Sequence, residues 1–184
     1  RNLEMMKIDM VVIRHAAAGS AHFLSNVIDA TIVNAGDGIH EHPTQALLDM
    51  FTIREKFGKL EGLNVCIVGD ISHSRVALSN IFGLKTMGAN VSVCGPRTLI
   101  PRDIERLDVK VHYDIDDALR QANIVNVLRI QLERQERNLF PSLREYRRFF
   151  GITKERLEKN NPDVTVMHPG PINRDVELSA DVAD

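Results

Sequence analysis

Short apolar runs alternate with helix-like segments along this chain, and this alternation constrains the fold more than any other feature. The clearest unit is a strand-like run at 64–70, a helical segment from Ser74 to about Met87 and a second strand-like run at 90–94. This order is typical of a βαβ unit, whose strands are parallel. Further strands are predicted at 10–14, 31–34, 109–113, 124–128 and 164–167. The chain is therefore predicted to be an α/β protein built from doubly wound parallel sheets.

Helix signals divide the chain into two units. A helix is predicted from Pro43 to about Lys56, because the fixed φ of proline suits the first helical turn. Gly58 suits the C-terminus of that helix, and we place a boundary there, between units at 1–58 and 59–184. Other helices are predicted at 20–27, 116–121, 142–150 and 153–159.

Composition limits the classes of function. The 184 residues are 43% hydrophobic and 5% aromatic, with a net charge of -2. Such a chain lacks the basic stripe with interleaved aromatic residues that is typical of a nucleic-acid binder. Without a membrane-length apolar run or a signal peptide, we expect a cytoplasmic protein with no membrane partner. Cys66 and Cys94 lie in strand-like runs and are expected to be small buried side chains in a reducing compartment.

Two common kinds of ligand are disfavoured by their sequence signatures. A nicotinamide cofactor would need a G-x-G-x-x-G turn after the strand at 64–70, but residues 69–75 read Gly-Asp-Ile-Ser-His-Ser-Arg. The cluster His40-Glu41-His42 has the spacing of neither a helical metal pair nor a zinc ribbon. We therefore expect neither a cofactor nor a metal.

One loop offers a cradle for an anion. It runs through Gly36 and Gly38, which allow a close approach of the backbone, into His42-Pro43-Thr44-Gln45. The helix that begins there presents free amide groups and a positive dipole end. His42 and Gln45 can add side-chain donors, so the loop is predicted to bind a polar, anionic small molecule.

Arg14, Arg75 and Arg129 each lie at or after the C-terminal end of a predicted strand. The continuous apolar run at 10–14 is typical of a parallel strand that is covered on both faces. The carboxyl ends of parallel strands meet at one edge of a sheet, so we expect these arginines to lie near His42. For each arginine alone the alternative is a surface ion pair. Together they predict a cleft for an acidic substrate, since guanidinium binds carboxylates and phosphates bidentately.

A loop with two prolines follows the last predicted strand, at His168-Pro169-Gly170-Pro171. The prolines stiffen it, and its backbone carbonyls can accept hydrogen bonds from an amine. A purely structural turn is the alternative. His168 by itself is more typical of a buried, hydrogen-bonded histidine than of a catalyst.

These motifs occur together, in this order, in the aspartate carbamoyltransferases, and the chain resembles that family over nearly its whole length. The matching segments are Arg14-His15, 34–38, 42–45, 68–70 with Arg75, 129–131 and 168–174. The resemblance implies two doubly wound parallel-sheet domains of the aspartate/ornithine carbamoyltransferase type, the first truncated. Residues 1–58 would form part of the carbamoyl-phosphate-binding domain, and residues 59–184 the aspartate-binding domain without its final return helices.

The resemblance also implies the reaction, which is transfer of the carbamoyl group of carbamoyl phosphate to the amine of L-aspartate in pyrimidine biosynthesis. Arg14, His42 and Gln45 would bind carbamoyl phosphate. Arg14 and His42 would be catalytic, since donors aimed at the developing oxyanion lower the barrier. Gln45 would contact the carbamoyl amide. No cofactor or metal is implied.

The same resemblance places aspartate on Arg75, Arg129 and Gln131, with backbone contacts from Pro169 and Gly170. Ornithine carbamoyltransferases typically have cysteine at the third place of the His-Pro-x-Gln motif and a His-Cys-Leu-Pro segment. Thr44 and the segment 168–171 differ from that pattern, which favours aspartate as the acceptor.

The family also has a Ser-x-Arg-Thr-Arg phosphate loop, a Ser and Lys loop lent by a neighbouring subunit, and final helices, which these 184 residues do not contain. We therefore expect a fragment that is inactive alone, from an enzyme that forms a homotrimer with shared active sites. A regulatory chain or a dihydroorotase is a candidate partner. The alternatives are a non-catalytic scaffold subunit, a carbamoyltransferase with another amino-acid acceptor, or a general small-molecule-binding domain.

Overall fold

The computed structural model describes residues 5–130 and 142–184. In chain order its strands and helices are β1 (Met10–His15), α1 (Ser20–Ser25), β2 (Thr31–Asp37), α2 (Pro43–Phe57), β3 (Asn64–Val68), α3 (Arg75–Thr86), β4 (Asn90–Cys94), β5 (Lys110–His112), α4 (Ile115–Gln121), β6 (Ile124–Val127), α5 (Leu143–Phe150), α6 (Lys154–Asn160), β7 (Thr165–Met167) and α7 (Ala180–Ala183). Every predicted strand and helix is present, with ends that shift by a few residues. The short helix α7 and two 3-10 turns between β4 and β5 were not predicted.

All strand pairs in the two sheets are parallel. β1 pairs with β2, and the second sheet has the order β5-β4-β3-β6-β7. Strand β3 is central, the chain moves outward from it first on one side and then on the other, and helices lie on both faces. This is the predicted doubly wound arrangement. The side on which successive strands are added changes between β3 and β6. At such a point open α/β sheets leave a crevice at the carboxyl ends of their strands.

The core of the larger sheet follows the two-residue period of β3. Val65 and Ile67 pack with the residues under α3, whereas Cys66 and Val68 pack with those under α4. Cys94 lies in the same layer as Cys66, and both thiols are free and buried, which confirms the prediction that they are buried side chains. Burial raises the pKa of the Cys66 thiol to about 12.

Strand β1 is parallel, as predicted, but the prediction that both of its faces are covered is wrong for this chain. Met10 is 58% exposed and Val12 is 65% exposed. β1 pairs only with β2, and of the described helices only α1 makes appreciable contact with it. The apolar run therefore predicts the strand but not the burial, which depends on neighbouring elements.

Helix α2 joins the two sheets. It contacts β2 on one side and packs along α3 on the other, where Ile53 enters the core of the larger sheet. The helices approach closely at Gly83, since a Cβ there would lie 2.8 Å from Cε of Met50. α2 therefore holds the carboxyl ends of both sheets beside each other. Within the described ranges, no helix has the length and apolar character needed to cross a membrane.

Candidate active site

A polar cavity of about 240 Å³ opens where the carboxyl ends of the two sheets meet. Its lining consists of Arg14, His42, Gln45, Ser74, Arg75, Val76, Leu128, Arg129, Pro169, Gly170 and Pro171. Seven of the eight residues predicted for the site belong to this lining. The eighth, Gln131, lies outside the described residues.

The position of each of these side chains is determined by the strand or helix that carries it. Arg14 is near the end of β1, His42 is the residue before the first turn of α2, and Arg75 is the first residue of α3. Arg129 follows β6, and Pro169 follows β7. The predicted convergence of strand ends is therefore present in the fold. The roles assigned to these residues by resemblance stay predictions.

A larger, open groove of about 660 Å³ lies beside α5 and α6 and contains none of the predicted site residues. Charged side chains dominate its lining. Arg156 pairs there with Asp116, its Nε 2.8 Å from Oδ1, and Arg147 pairs with Asp175 at 3.0 Å. This groove is lined by partly exposed ion pairs, and the smaller cavity, which contains the predicted residues, is the candidate active site.

His42 is half-buried beside two guanidinium groups. Burial, then the charge of Arg75, then that of Arg14 hold the pKa of its imidazole below the ordinary 6.5. Its backbone N–H donates to Oγ of Ser79 at 2.9 Å, and its Nδ1 lies 3.3 Å from Oγ1 of Thr44. A neutral imidazole in this place can donate one hydrogen bond into the cavity without adding another positive charge.

Arg75, the first residue of α3, reaches the loop between β2 and α2. Its side chain is buried, and Nη1 donates to the carbonyl of Gly38 at 3.3 Å. Gly36 has a φ of 116°, and a Cβ there would lie 2.8 Å from Cζ of Arg75. Glycine at 36 is therefore required both by the backbone conformation and by the guanidinium that packs on it.

The loop that carries His42 is closed by Asp37. Its carboxylate accepts from the backbone N–H of Gly19 at 2.7 Å and of Glu41 at 3.1 Å. Burial acts to raise the pKa of Asp37, but hydrogen bonds from Gly19, Asn34, His40 and Glu41 outweigh it and lower the pKa. Within the part of the chain that the structure describes, no group of three or more histidine, cysteine or acidic residues converges as a metal site would require.

The loop after β7 is held by a buried histidine. The side chain of His168 is 5% exposed, and its Nδ1 accepts from the backbone N–H of Gly170 at 2.8 Å. Its Nε2 lies 3.3 Å from Oε1 of Glu177, which also accepts from the backbone N–H of Asn173 at 2.6 Å. His168 is thus the buried, hydrogen-bonded histidine that the sequence favours, and it shapes the backbone of Gly170 at the cavity wall.

Asp49 is a buried residue beside the cavity lining that the sequence analysis did not single out. It is 5% exposed, lies one helical turn after Gln45 on α2 and accepts a hydrogen bond from its amide. The signal was a lone carboxylate on an otherwise apolar stretch of helix, four residues after a predicted ligand. Its partners, Asn80 and Asn126, are far away in the sequence and could not be identified from it.

The sequence is similar to known proteins over almost its whole length. The family model described as "Aspartate/ornithine carbamoyltransferase, Asp/Orn binding domain" matches residues 61–184, and that of the carbamoyl-P binding domain matches residues 1–55. The aspartate carbamoyltransferase catalytic subunit of Halothermothrix orenii is 60% identical over 184 residues, and that of Cytophaga hutchinsonii is 61% identical over 183 residues. Each alignment covers 100% of this chain but only 59% and 60% of the relative.

Solved structures of one such protein have a similar fold. Aspartate transcarbamoylase from Trypanosoma cruzi in complex with N-(phosphonacetyl)-L-aspartic acid matches 99% of this chain with a TM-score of 0.84 and 28% identity. The complex of that protein with carbamoyl phosphate matches 99% with a TM-score of 0.85 and 27% identity. In both, 60% of the solved chain is covered. The chain thus spans about 60% of the length of the relatives it matches.

Proposed function

Because the chain belongs to the aspartate/ornithine carbamoyltransferase family, we propose that its protein transfers the carbamoyl group of carbamoyl phosphate to L-aspartate. The products are N-carbamoyl-L-aspartate and phosphate, and the place of the reaction is pyrimidine biosynthesis. The observation that carries the proposal is the cavity in which Arg14, Arg75, Arg129, His42 and Gln45 meet. These groups match one phosphate, one polarised carbonyl and two carboxylates.

In the proposed mechanism residues 1–58 bind carbamoyl phosphate and residues 59–184 bind aspartate. Arg14 binds carbamoyl phosphate on the side of its phosphate and carbonyl groups. His42 donates to the carbonyl oxygen, and Gln45 contacts the carbamoyl amide. Arg75, Arg129 and Gln131 bind the carboxylates of aspartate, and this role of Gln131 is inferred from the resemblance alone. The backbone of the cavity wall at Pro169 and Gly170 orients the acceptor.

The reaction forms one carbon–nitrogen bond and breaks one carbon–oxygen bond. The amine nitrogen of aspartate attacks the carbonyl carbon, the carbonyl oxygen becomes an oxyanion, and the bond to the phosphate oxygen then breaks. The amine loses a proton, and the departing phosphate is its acceptor. A donor aimed at the oxyanion contributes about 3 kcal/mol to a lower barrier. Holding two substrates in contact supplies much of the remaining acceleration, so that no covalent intermediate is required.

Aspartate is favoured over an acceptor with a cationic side chain by the charge of the cavity. Three arginines line it, and none of its described lining residues is acidic. The side-chain ammonium group of ornithine would face guanidinium groups without a carboxylate partner. The charge of the cavity thus favours aspartate. Ornithine as the acceptor and a non-catalytic scaffold are the alternatives, and the assay described below distinguishes them from the proposed function.

The proposal includes the assembly and the location of the protein. The relatives named above are catalytic subunits. We propose a cytoplasmic homotrimer with shared active sites, and a regulatory chain or a dihydroorotase remains a candidate partner. Sedimentation of the full-length protein should give the mass of three chains, and a monomer that is fully active would contradict shared sites.

The function is tested by product formation. The full-length protein that carries this sequence should form carbamoyl-aspartate from carbamoyl phosphate and L-aspartate, and should form citrulline from L-ornithine at less than a hundredth of that rate. Preferential use of ornithine would refute aspartate as the acceptor. A folded full-length protein that uses neither amino acid would favour the scaffold.

A further inference from the structure

We propose that Asp49 is a positioning residue that determines which end of the Gln45 amide faces the substrate cavity. The inference rests on the proposed function, because it concerns recognition of the carbamoyl amide. It assigns a task to a carboxylate that is buried behind the cavity lining.

Asp49 accepts hydrogen bonds from side-chain amides on three elements. Its Oδ1 accepts from Nε2 of Gln45 at 2.9 Å within α2. Its Oδ2 accepts from Nδ2 of Asn80 on α3 at 2.7 Å, and from Nδ2 of Asn126 on β6 at 3.0 Å. Asn80 and Asn126 are fully or almost fully buried, with 0% and 2% exposure. The carboxylate therefore has its negative charge balanced by three hydrogen bonds in a dry environment.

The chemistry of these groups determines the orientation of Gln45. A carboxylate is only an acceptor, so the amide group that points to Asp49 must present its nitrogen. The opposite end of the amide, Oε1, then remains for the cavity, which Gln45 lines. An acceptor at that place suits the NH₂ of a carbamoyl group and not a carbonyl or phosphate oxygen. Asp49 thus makes Gln45 selective for an amide, without contact between Asp49 and the substrate.

Asparagine at position 49 would remove this constraint. Its amide has one acceptor and one donor end. With its oxygen in the place of Oδ2, the new side chain still accepts from Asn80 and Asn126, and with its nitrogen in the place of Oδ1 it donates to Gln45, whose amide is then reversed. Gln45 would then present a donor to the carbamoyl NH₂, which is also a donor.

The test compares two phosphonates that differ only at that group. Phosphonoacetamide carries an NH₂ where (2-oxopropyl)phosphonate carries a methyl group. By calorimetry, the full-length wild-type protein should bind the amide about tenfold more tightly, the range expected for one well-placed hydrogen bond. The variant Asp49→Asn should bind the two ligands equally, within about twofold, by losing affinity for phosphonoacetamide alone.

Asn80→Ala is the matched control. It removes another donor to Asp49 and leaves the contact with Gln45 in place. We expect this variant to be less stable but to keep the tenfold preference. A merely structural role of Asp49 would weaken both ligands together in Asp49→Asn, and that result would overturn the proposal. A wild-type protein that binds both phosphonates without preference would also overturn it.

The outcomes separate the two proposals. If the wild-type protein prefers the amide and Asp49→Asn keeps that preference, the assignment of Asp49 fails and the proposed function stands. If the wild-type protein binds neither phosphonate, the proposed function fails and this inference fails with it.

A second measurement covers the case in which Asp49→Asn does not fold. In wild-type protein labelled with ¹⁵N-glutamine, the side-chain amide of Gln45 can be identified by its loss in Gln45→Met. Its hydrogen exchange should be at least about tenfold slower than that of Gln121, whose side chain is exposed. Exchange at the rate of Gln121 would show that Asp49 does not hold the amide, and would overturn the proposal.

Discussion

His42 shows at the scale of one residue how the surroundings select a chemical form. Burial and the two guanidinium groups of Arg75 and Arg14 all disfavour the imidazolium ion and lower the pKa of this histidine. The unfolded chain has the ordinary pKa and binds a proton more readily. Between the two pKa values the unfolded state therefore holds more protons, so that this group lowers stability as the pH falls below about 6.5.

We predict that NMR titration of His42 in the ligand-free protein gives a midpoint below 6.5, and that Arg75→Met moves it upward. The charge of Arg75 is the second cause of the lowered pKa after burial, so its removal should recover part of the shift. His22, which is exposed and does not line the cavity, serves as the reference. An unchanged midpoint in Arg75→Met would show that the guanidinium does not act on the imidazole.

Arg129 offers a second prediction at this scale. Arg129→Ala should raise the KM for aspartate about 10- to 100-fold, since a charge-assisted contact is worth about 1.5–3 kcal/mol. The KM for carbamoyl phosphate should change much less. The matched control is Arg174→Ala, because that exposed arginine pairs with Asp184 and does not line the cavity. Equal effects of the two substitutions on the KM for aspartate would contradict the assignment.

At the scale of secondary structure, most of the fold could be predicted because short-range signals agree with it. Pro43 begins α2, and Gly58 ends it with a φ of 76°. The burial of β1 could not be predicted, since a continuous apolar run says which residues prefer a core and not which neighbours are present. The 3-10 turn at Arg97–Leu99 also lacks a clear sequence signal, because it is held by backbone contacts to the loop after β3.

The sequence predicts those site residues that lie at the carboxyl ends of strands. Arg14, Arg75 and Arg129 are identifiable because each lies at or just after the carboxyl end of a strand, and parallel strands bring these ends together. Val76 and Leu128 line the same cavity but were not predicted, since apolar side chains carry no chemical signature. Asp49 was missed for a different reason, because its role depends on partners 31 and 77 residues away.

The central strands also yield a prediction. Cys66 and Cys94 are fully buried in β3 and β4, and burial raises the pKa of both thiols. We expect neither to react with a thiol reagent at pH 8 while the protein is folded, and both to react in denaturant, because the thiolate is the reactive form. Rapid labelling of the folded protein would contradict the described core.

At the scale of the whole molecule, the smaller sheet and its helices leave apolar side chains uncovered. The large exposed ones include Met10, Val12, Phe23, Leu47 and Phe51, each about half exposed or more. We predict that the isolated 184-residue chain binds a hydrophobic dye, self-associates and shows no carbamoyl transfer. Exposed apolar surface of this extent favours association. The full-length protein is the control, and a dye-free, monomeric or active isolated chain would contradict the prediction.

The central claim is that one cavity binds the phosphate side and the aspartate side of the reaction together. The most direct test is calorimetric titration of the full-length protein with N-(phosphonacetyl)-L-aspartic acid, the compound bound by the Trypanosoma cruzi protein of the same fold. We predict one site for each chain, with binding that weakens at least about 30-fold in both Arg14→Ala and Arg129→Ala. Binding that either substitution leaves unchanged would show that the two arginines do not serve one site, and would contradict the account.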